Sequence, residues 1–414
     1  MTTTVAPDTL VPFPLECANC GVSHTSDRPA AICPECLGPL EVVYPEGRSL
    51  PDRATIAARP PTLWRYREWL PFEGTPLAAR DTGWTPLVEA PRVASALGVR
   101  RAWLKLDTLS NPSLSFKDRV VTTAINAVRA FGLEAIACAS TGNLANAVAS
   151  AAAREGLPAW IFVPHDLEIA KLVGTLVYGP RLVRVRGTYD DVNRLCAQLA
   201  DEYPWGIANV NLRAYYGEGS KTMAFEIAEQ LEWQLPTAVV APMAGGSLVT
   251  KLRKGFGEFI DAGLVDDALP RVFGAQASGC APIVRLFERG SGGIVPEVPS
   301  TIARSLAIGN PADGVAAARV LRETGGGAAA VSDDEIRDAI RELASLSGVF
   351  GETAAGVTYA GAKALARSGA LTAKDDVVLC LTGNGLKTAE ALTADLDQVP
   401  TIAPRLREVE ALVS

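Results

Sequence analysis

The chain has 414 residues, of which 48% are hydrophobic, and its formal net charge is −7. This length suggests two or three domains, and the hydrophobic content argues against a disordered chain. Acidic and basic residues are interspersed, which argues against nucleic-acid binding, because that needs a concentrated basic face. The first 17 residues lack the basic start of a secretory signal, and the apolar tracts are too interrupted to span a membrane. We therefore expect a cytoplasmic protein.

Residues 1–48 are predicted to form an N-terminal unit of their own. Two Cys-x-x-Cys pairs, CANC and CPEC, are each followed by turn residues, and a segment this short needs a staple to fold. We expect a zinc-ribbon-like unit that holds one structural zinc ion, since the disulfide alternative conflicts with a cytoplasmic location. The predicted ligands are Cys17, Cys20, Cys33 and Cys36.

The following segment, residues 49–90, is rich in Pro, Arg and Trp and predicts an irregular connector or a lid. Beyond it, short apolar runs alternate with Ala-rich helical patterns, which predicts an α/β protein with parallel sheets covered on both faces. The predicted strands are 103–107, 135–140, 159–164, 182–187, 237–242, 271–277 and 377–381. The predicted helices are 118–132, 144–156 and 188–203.

Three of these strands are followed by loops that are suited to a ligand. The three loops are STGN (140–143), AGGS (244–247) and TGNG (382–385). Ligands of parallel α/β sheets bind at the carboxyl ends of strands, and the AGGS loop offers backbone N–H groups and a helix start to an anion. This pattern predicts a phosphate site, although glycine-rich turns of this kind also occur simply for tight packing.

Lys117 lies between Phe116 and Asp118 where a loop is predicted to enter a helix. A solvated surface lysine is the ordinary interpretation. The alternative is a partly desolvated amine, which is a nucleophile able to form a Schiff base. Only two histidines, His24 and His165, are present, so a mechanism with a histidine base has few candidates.

Several motifs occur in order between residues 80 and 390, and together they carry a family resemblance. They are NPSLSFKDR, CASTGN, VAPMAGGS, GAQASGCAPI, TIARSLAIGNPADG, GVFGETAAG and LTGNGLK. The chain resembles the fold-type II pyridoxal-phosphate enzymes and, among them, the threonine synthase family. The resemblance implies a tryptophan synthase β-like fold with two three-layer parallel-sheet domains. The large domain would comprise 49–118 and 230–414, the small domain 119–229, and the Cys-rich unit would be an N-terminal extension.

The resemblance also implies roles for individual residues. Lys117 would form the Schiff base with pyridoxal phosphate and carry out the proton transfers. Asn143 would bond the phenolic oxygen of the cofactor, and Thr382 would face its pyridine nitrogen. Ser140 and Thr141 would bind the substrate carboxylate. The cofactor phosphate would be held by Ala244, Gly245, Gly246 and Ser247. Position alone suggests Arg213, Lys221 or Ser220 for the leaving phosphate.

The implied reaction is the conversion of O-phosphohomoserine and water to threonine and phosphate, in a homodimer. The chain departs from the family at Leu144, where threonine is usual, at Ser113-Leu114 in place of Thr-Gly, and at Thr353 in place of proline. A leucine cannot bond phosphate, so a sister enzyme acting on phosphoserine or another activated amino acid, including a cysteate-synthase-like or dehydratase activity, stays open. A zinc-ribbon binding protein with a degenerate enzyme body is the alternative from another class.

Overall fold

The computed structural model describes residues 10–25, 27–266 and 268–413, so the first nine residues of the predicted N-terminal unit lie outside the described residues. The strands are β1 (Leu10–Pro12), β2 (Leu15–Cys17), β3 (Ser23–His24), β4 (Leu40–Val42), β5 (Phe72–Gly74), β6 (Leu87–Glu89), β7 (Arg101–Leu106), β8 (Ala135–Ala139), β9 (Ala159–Pro164), β10 (Arg181–Val185), β11 (Trp205–Ile207), β12 (Ala238–Pro242), β13 (Arg271–Ala277), β14 (Gly327–Val331) and β15 (Asp376–Leu381).

The α-helices are α1 (Arg53–Ala57), α2 (Pro91–Leu97), α3 (Lys117–Ala130), α4 (Asn143–Glu155), α5 (Ile169–Leu176), α6 (Tyr189–Glu202), α7 (Arg213–Glu218), α8 (Thr222–Gln230), α9 (Ser247–Asp261), α10 (Pro282–Arg289), α11 (Gly314–Glu323), α12 (Asp333–Ser347), α13 (Thr353–Arg367) and α14 (Leu406–Val413). Five 3₁₀ segments complete the described secondary structure: Leu63–Trp69, Asp107–Leu109, Gly219–Lys221, Arg304–Leu306 and Gly385–Gln398.

Two parallel sheets organise the body of the protein, as the alternation of apolar runs and helical patterns predicts. One sheet has the strand order β10-β9-β8-β11 and is parallel throughout. The other has the order β14-β13-β12-β15-β7-β6. Its edge strand β6 corrects the prediction, because it pairs with β7 in the antiparallel sense. The connection between them, 90–100, is shorter than the roughly twelve residues that a parallel crossover needs.

The strands divide between the sheets in a simple way along the chain. Every strand of the four-stranded sheet falls within 119–229, and the strands of the six-stranded sheet fall on either side of that segment. The central strands β12 and β15 are buried along their whole length, which explains their continuous apolar sequences. The exact domain boundaries stay a prediction.

The segment 49–90 is built into the body of the protein and is not a lid. The 3₁₀ segment Leu63–Trp69 buries Tyr66 and Trp69 against Phe225 and Phe259 of α8 and α9. Aromatic rings bury large apolar areas, so such contacts hold a segment firmly. The sequence did not indicate this packing because its partners lie more than 150 residues away.

The Cys-rich unit forms a three-stranded antiparallel sheet of order β3-β2-β4. It is attached to the body, since β1 pairs with β5 and the carbonyl of Phe13 accepts a hydrogen bond from the hydroxyl of Tyr215 on α7 (2.9 Å). Among the described residues, none of the helices has both the length and the apolar character to cross a membrane.

Candidate active site

A cleft of about 220 Å³ opens at the carboxyl ends of strands from both sheets. The ends of β8, β12 and β15 meet there, where ligands of parallel α/β sheets bind. Eleven of the twelve residues predicted to bind cofactor or substrate line this cleft. They are Lys117, Ser140, Thr141, Asn143, Arg213, Ser220, Ala244, Gly245, Gly246, Ser247 and Thr382.

Lys117 is the first residue of α3, and its side chain is half-buried in the wall of the cleft. Its Nζ donates a hydrogen bond to the hydroxyl of Tyr216 (2.9 Å). The backbone N–H of Phe116 donates to the carbonyl of Thr382 (2.8 Å), and Ser115 forms a β-bridge with Gly383. These backbone bonds fix the turn before the lysine and place its amine at the end of β15.

The STGN loop enters the cleft between β8 and α4. The hydroxyl oxygen of Ser140 accepts the backbone N–H groups of Gly142 (2.9 Å) and Ala145 (2.8 Å), so Ser140 also shapes the loop. Asn143 Nδ2 donates to both carboxylate oxygens of Glu352, at 2.8 and 3.0 Å. The other end of this amide, Oδ1, is buried at the cleft and has no protein partner within the described residues.

The AGGS loop follows β12 and leads into the 15-residue helix α9. Gly246 precedes the helix with φ +95°, and a Cβ there would lie 2.9 Å from the carbonyl oxygen of Asp313. Glycine is therefore required where the chain turns tightly around the cleft. The free N–H groups at the start of α9 and its positive dipole end suit a phosphate group.

Arg213 and Ser220 lie in the cleft, but Lys221 does not. The guanidinium of Arg213 pairs with the carboxylate of Asp313. The ammonium of Lys221 is fully buried on the opposite side, 2.6 Å from Glu218 Oε2 and 2.8 Å from Glu258 Oε1. Burial lowers the pKa of Lys221. Consecutive residues of a 3₁₀ segment point about 120° apart, and here Ser220 faces the cleft while Lys221 points into the buried ion pairs.

Several lining residues were not predicted from the sequence. Tyr216 and Glu352 contact Lys117 and Asn143, as described above. A small polar cluster also lines the cleft, in which Asn209 Nδ2 donates to the hydroxyl of Tyr189 (3.0 Å) and to Asn193 Oδ1 (3.1 Å). Glu352 lies within the motif GVFGETAAG, and this motif is the sequence signal that could have identified it. No local pattern marks the other residues.

The four predicted metal ligands also come together, and they lie outside the lining of this cleft. The Sγ atoms of the four cysteines all lie within 4.8 Å of one another. Cys17 and Cys36 are 3.4 Å apart and Cys20 and Cys33 are 3.7 Å apart, whereas a tetrahedral zinc ion with bonds of about 2.3 Å separates its sulfurs by about 3.8 Å.

The chemistry of this cluster also fits a metal ion. A hydrogen bond from the backbone N–H of Cys20 is the main cause that lowers the pKa of Cys17 to about 6, whereas the contact with Cys17 raises the pKa of Cys36 to about 12. A thiol that ionises as readily as that of Cys17 is a good metal ligand, because zinc binds the thiolate. Gly38 leaves room for the sulfur, since a Cβ at that position would lie 2.9 Å from Cys17 Sγ.

Comparison with known proteins identifies the family. The family described as "Pyridoxal-phosphate dependent enzyme" matches residues 79–383. A threonine synthase of Methanosarcina acetivorans is 33% identical over 392 residues, which covers 94% of this chain and 96% of that protein. A threonine synthase of Methanocaldococcus jannaschii is 34% identical, covering 91% and 93%. The chain belongs to the threonine synthase family of pyridoxal-phosphate-dependent enzymes.

Solved structures of other proteins share the fold seen here. The structure is similar to that of a fungal L-serine ammonia-lyase from Rhizomucor miehei, with a TM-score of 0.65 and 23% identity over 77% of this chain and 98% of that one. The cleft fits the cofactor of the family. The start of α9 can hold its phosphate, the orphaned Asn143 amide faces the cleft, and Lys117 provides the amine.

Proposed function

We propose that the enzyme converts O-phosphohomoserine and water to threonine and phosphate with pyridoxal phosphate as its cofactor. The observation that carries the proposal is the cleft that places Lys117 opposite the glycine loop before α9. Similarity to named threonine synthases over nearly the whole chain supports the choice of reaction.

Lys117 supplies the proton transfers of this proposal. Bound pyridoxal phosphate acts as an electron sink that makes the hydrogen on the substrate Cα acidic. The amine of Lys117 lies in the cleft at the first turn of α3, where it can take a proton from Cα and deliver one to a neighbouring carbon. The hydroxyl of Tyr216, 2.9 Å from Nζ, orients this amine and keeps it hydrogen-bonded.

Other lining residues orient the two ligands. The N–H groups at Gly245, Gly246 and Ser247 would hold the cofactor phosphate, and Asn143 and Thr382 would contact its ring. We retain Ser140 and Thr141 as candidates for the substrate carboxylate. The hydroxyl proton of Ser140 stays available as a donor, because its oxygen only accepts in the bonds described above.

Arg213 is the candidate for the leaving phosphate, with Ser220 beside it in the cleft. Its guanidinium is bound to Asp313, and a phosphate oxyanion competes for the same donors. Lys221 is not retained, because its buried ion pairs hold it away from the cleft.

One observation favours a second candidate function, a sister enzyme that acts on phosphoserine or another activated amino acid. Leu144 lines the cleft and is buried, and it stands where the family usually has a threonine. An apolar side chain offers no hydrogen bond to a phosphate, so the pocket near the STGN loop lacks the phosphate partner that the family resemblance implies at this position.

We expect O-phosphohomoserine to release one phosphate for each threonine formed, and phosphoserine to release little. Arg213→Ala should raise KM by about 10- to 100-fold, because it removes a charge-assisted hydrogen bond of about 1.5–3 kcal/mol. Arg319→Ala is the matched control, since Arg319 is exposed on α11 and pairs only with Glu323 in the described structure. Steady-state phosphate release with the amino-acid product identified makes the measurement.

The substrate assignment would be rejected if another activated amino acid were turned over while O-phosphohomoserine gave no threonine. In that case the sister-enzyme function would stand. Equal KM changes in Arg213→Ala and Arg319→Ala would show that Arg213 does not bind the leaving phosphate.

We also propose that Cys17, Cys20, Cys33 and Cys36 bind one structural zinc ion. Four sulfur ligands leave no open position for catalysis, and the compact cluster described above supports such a closed site. We also propose the domain boundaries and the homodimeric state that the resemblance implies, and the cytoplasmic location that the composition indicates.

Metal analysis of the reduced protein should find one zinc per chain. Cys20→Ser should abolish binding and lower the thermal stability of the N-terminal unit, because the metal contributes folding free energy there. Cys280→Ser is the control, since this cysteine is buried outside the cluster and should leave the zinc content unchanged. A wild-type protein without bound metal would contradict the assignment, and iron in its place would change only the identity of the ion.

A further inference from the structure

Helix α7 contacts the catalytic cleft and the Cys-rich unit at the same time. Toward the cleft it presents Arg213 and Tyr216, and Tyr216 contacts Lys117 Nζ directly. Toward the N-terminal unit it presents Tyr215, whose hydroxyl bonds the carbonyl of Phe13, and Glu218. A helix of six residues has no independent stability, so its position depends on these contacts.

Glu218 is the centre of the attachment to the N-terminal unit. Its Oε2 accepts a hydrogen bond from the hydroxyl of Tyr44 (2.6 Å), and its Oε1 contacts Lys251 (2.7 Å) and Lys254 (2.8 Å). Lys251 also contacts Glu41 Oε2 of the N-terminal unit (2.7 Å). The strand β4 that carries Glu41 is paired with β2, which ends at Cys17.

The charges of this cluster make the attachment strong. The side chain of Glu218 is 0% exposed. Burial opposes its ionisation, but the ammonium groups of Lys221, Lys251 and Lys254 lower the pKa of Glu218 well below its usual range. Burial, and then the nearby carboxylates, raises the pKa of Tyr44, so its hydroxyl remains a donor to Glu218. Leaving a buried carboxylate without its hydrogen-bond donors costs free energy. A shift of α7 that separated Glu218 from these donors is therefore unfavourable.

Only one helical segment separates this cluster from the reacting amine. Tyr44 bonds Glu218, Glu218 lies two residues after Tyr216 on α7, and Tyr216 bonds Lys117. The 3₁₀ segment that follows α7 adds Ser220 to the cleft wall and Lys221 to the buried cluster. A displacement of Glu218 therefore moves groups that face the cleft.

We infer that Tyr44 of the Cys-rich unit is a positioning residue for the active site, which holds Tyr216 against Lys117 through Glu218. The N-terminal unit thereby sets the surroundings of the cofactor as well as stabilising the chain. This inference concerns the cofactor site and does not depend on which amino acid is the substrate. It can therefore fail while the proposed reaction stands, and the proposed reaction can fail while the inference stands.

The variant Tyr44→Phe tests this role, because it removes only the hydroxyl and keeps the ring that packs edge-on against Phe13. In the enzyme loaded with pyridoxal phosphate, the visible absorbance of the cofactor is measured as a function of pH. We expect the midpoint of this titration to shift in Tyr44→Phe. We also expect kcat to fall roughly 10- to 100-fold with little change in KM, as losses of orienting hydrogen bonds commonly do. A milder variant, Glu41→Gln, should move the same quantities in the same direction.

Tyr66→Phe is the matched control. Tyr66 is also buried, and its hydroxyl bonds the carboxylate of Glu229 at the same 2.6 Å. In the described structure no hydrogen bond, ion pair or ring contact joins either residue to α7, and neither lines the cleft. The control should lose thermal stability without changing the absorbance, its pH midpoint or kcat. The inference would be overturned if folded Tyr44→Phe kept the wild-type absorbance, pH midpoint and kcat. It would also be overturned if Tyr66→Phe changed these three quantities as much as Tyr44→Phe does. If Tyr44→Phe does not fold, Glu41→Gln decides by the same criteria.

Discussion

Lys117→Ala is expected to remove the covalent bond between enzyme and cofactor and to lower kcat by about 10²- to 10⁴-fold, the range associated with the loss of a positioned acid–base group. Among the described residues, no other lysine lines the cleft, and Lys221, which the sequence suggested for the leaving phosphate, is buried elsewhere. The visible absorbance of the cofactor should change because an alanine cannot attach it.

Borohydride reduction followed by peptide mass mapping provides the second measurement. In the wild-type enzyme we expect the reduced adduct on the peptide that contains Lys117, and we expect none in Lys117→Ala. Lys374→Ala serves as the control, since Lys374 is exposed near the start of β15 and away from the cleft. An adduct on another lysine in Lys117→Ala would show that the assignment is wrong.

The ligand loops of the site could be predicted because short-range sequence determines them. The turns STGN, AGGS and TGNG each follow a buried apolar strand, and the carboxyl ends of parallel strands meet at one edge of a sheet. Glycine at position 246 is required by a local backbone conformation that few other residues adopt. Such requirements leave a mark in the sequence itself.

The contacts that arrange the site could not be predicted in the same way. Tyr216 is 99 residues from Lys117, and Glu352 is 209 residues from Asn143. A tyrosine on a helix, or a glutamate just before one, has many ordinary roles, and only the folded chain shows which group it contacts. Lys221 was predicted at the site but does not lie there, because adjacency to Ser220 in sequence does not mean that the two side chains face the same way.

The attachment of the Cys-rich unit was missing from the sequence prediction for a related reason. The cysteine spacing indicates a local metal-binding fold and contains no information about the surface that the fold contacts. Glu218 is 174 residues from Tyr44, and its burial becomes evident only when the lysines of α9 surround it. The spacing therefore predicts the four-cysteine cluster but not its connection to the cleft.

The second large effect concerns stability and involves a buried charge cluster next to Lys117. Arg119, two residues after Lys117, contacts Asp107 and Glu226, and Glu226 also contacts Lys105 (2.7 Å). All four side chains are 0% exposed. The two positive and two negative charges balance, and Glu226 further accepts the backbone N–H of Trp84 (2.7 Å). The cluster thus fixes the start of α3 against the six-stranded sheet.

Glu226→Gln should lower the free energy of unfolding by about 3–5 kcal/mol at pH 7, because it leaves a buried positive charge without its partner. Glu323→Gln is the control, since Glu323 is exposed and its pair with Arg319 should contribute less than about 1 kcal/mol. Urea unfolding at fixed temperature makes the comparison. A loss of less than about 1 kcal/mol in Glu226→Gln would contradict the expected role of the cluster.

The dependence of this loss on pH gives the prediction a second, independent check. Although burial opposes it, Arg119 and then Lys105 lower the pKa of Glu226 from 4.5 to about 2 in the folded protein. An acid whose pKa is lowered by folding stabilises the protein above its unfolded pKa, and that stabilisation disappears as pH falls toward the folded pKa. The difference in unfolding free energy between wild type and Glu226→Gln should therefore be constant between pH 5 and 8 and should narrow below about pH 4.5. A difference that stayed constant through this acidic range would mean that the carboxylate charge of Glu226 is not the source of the stability.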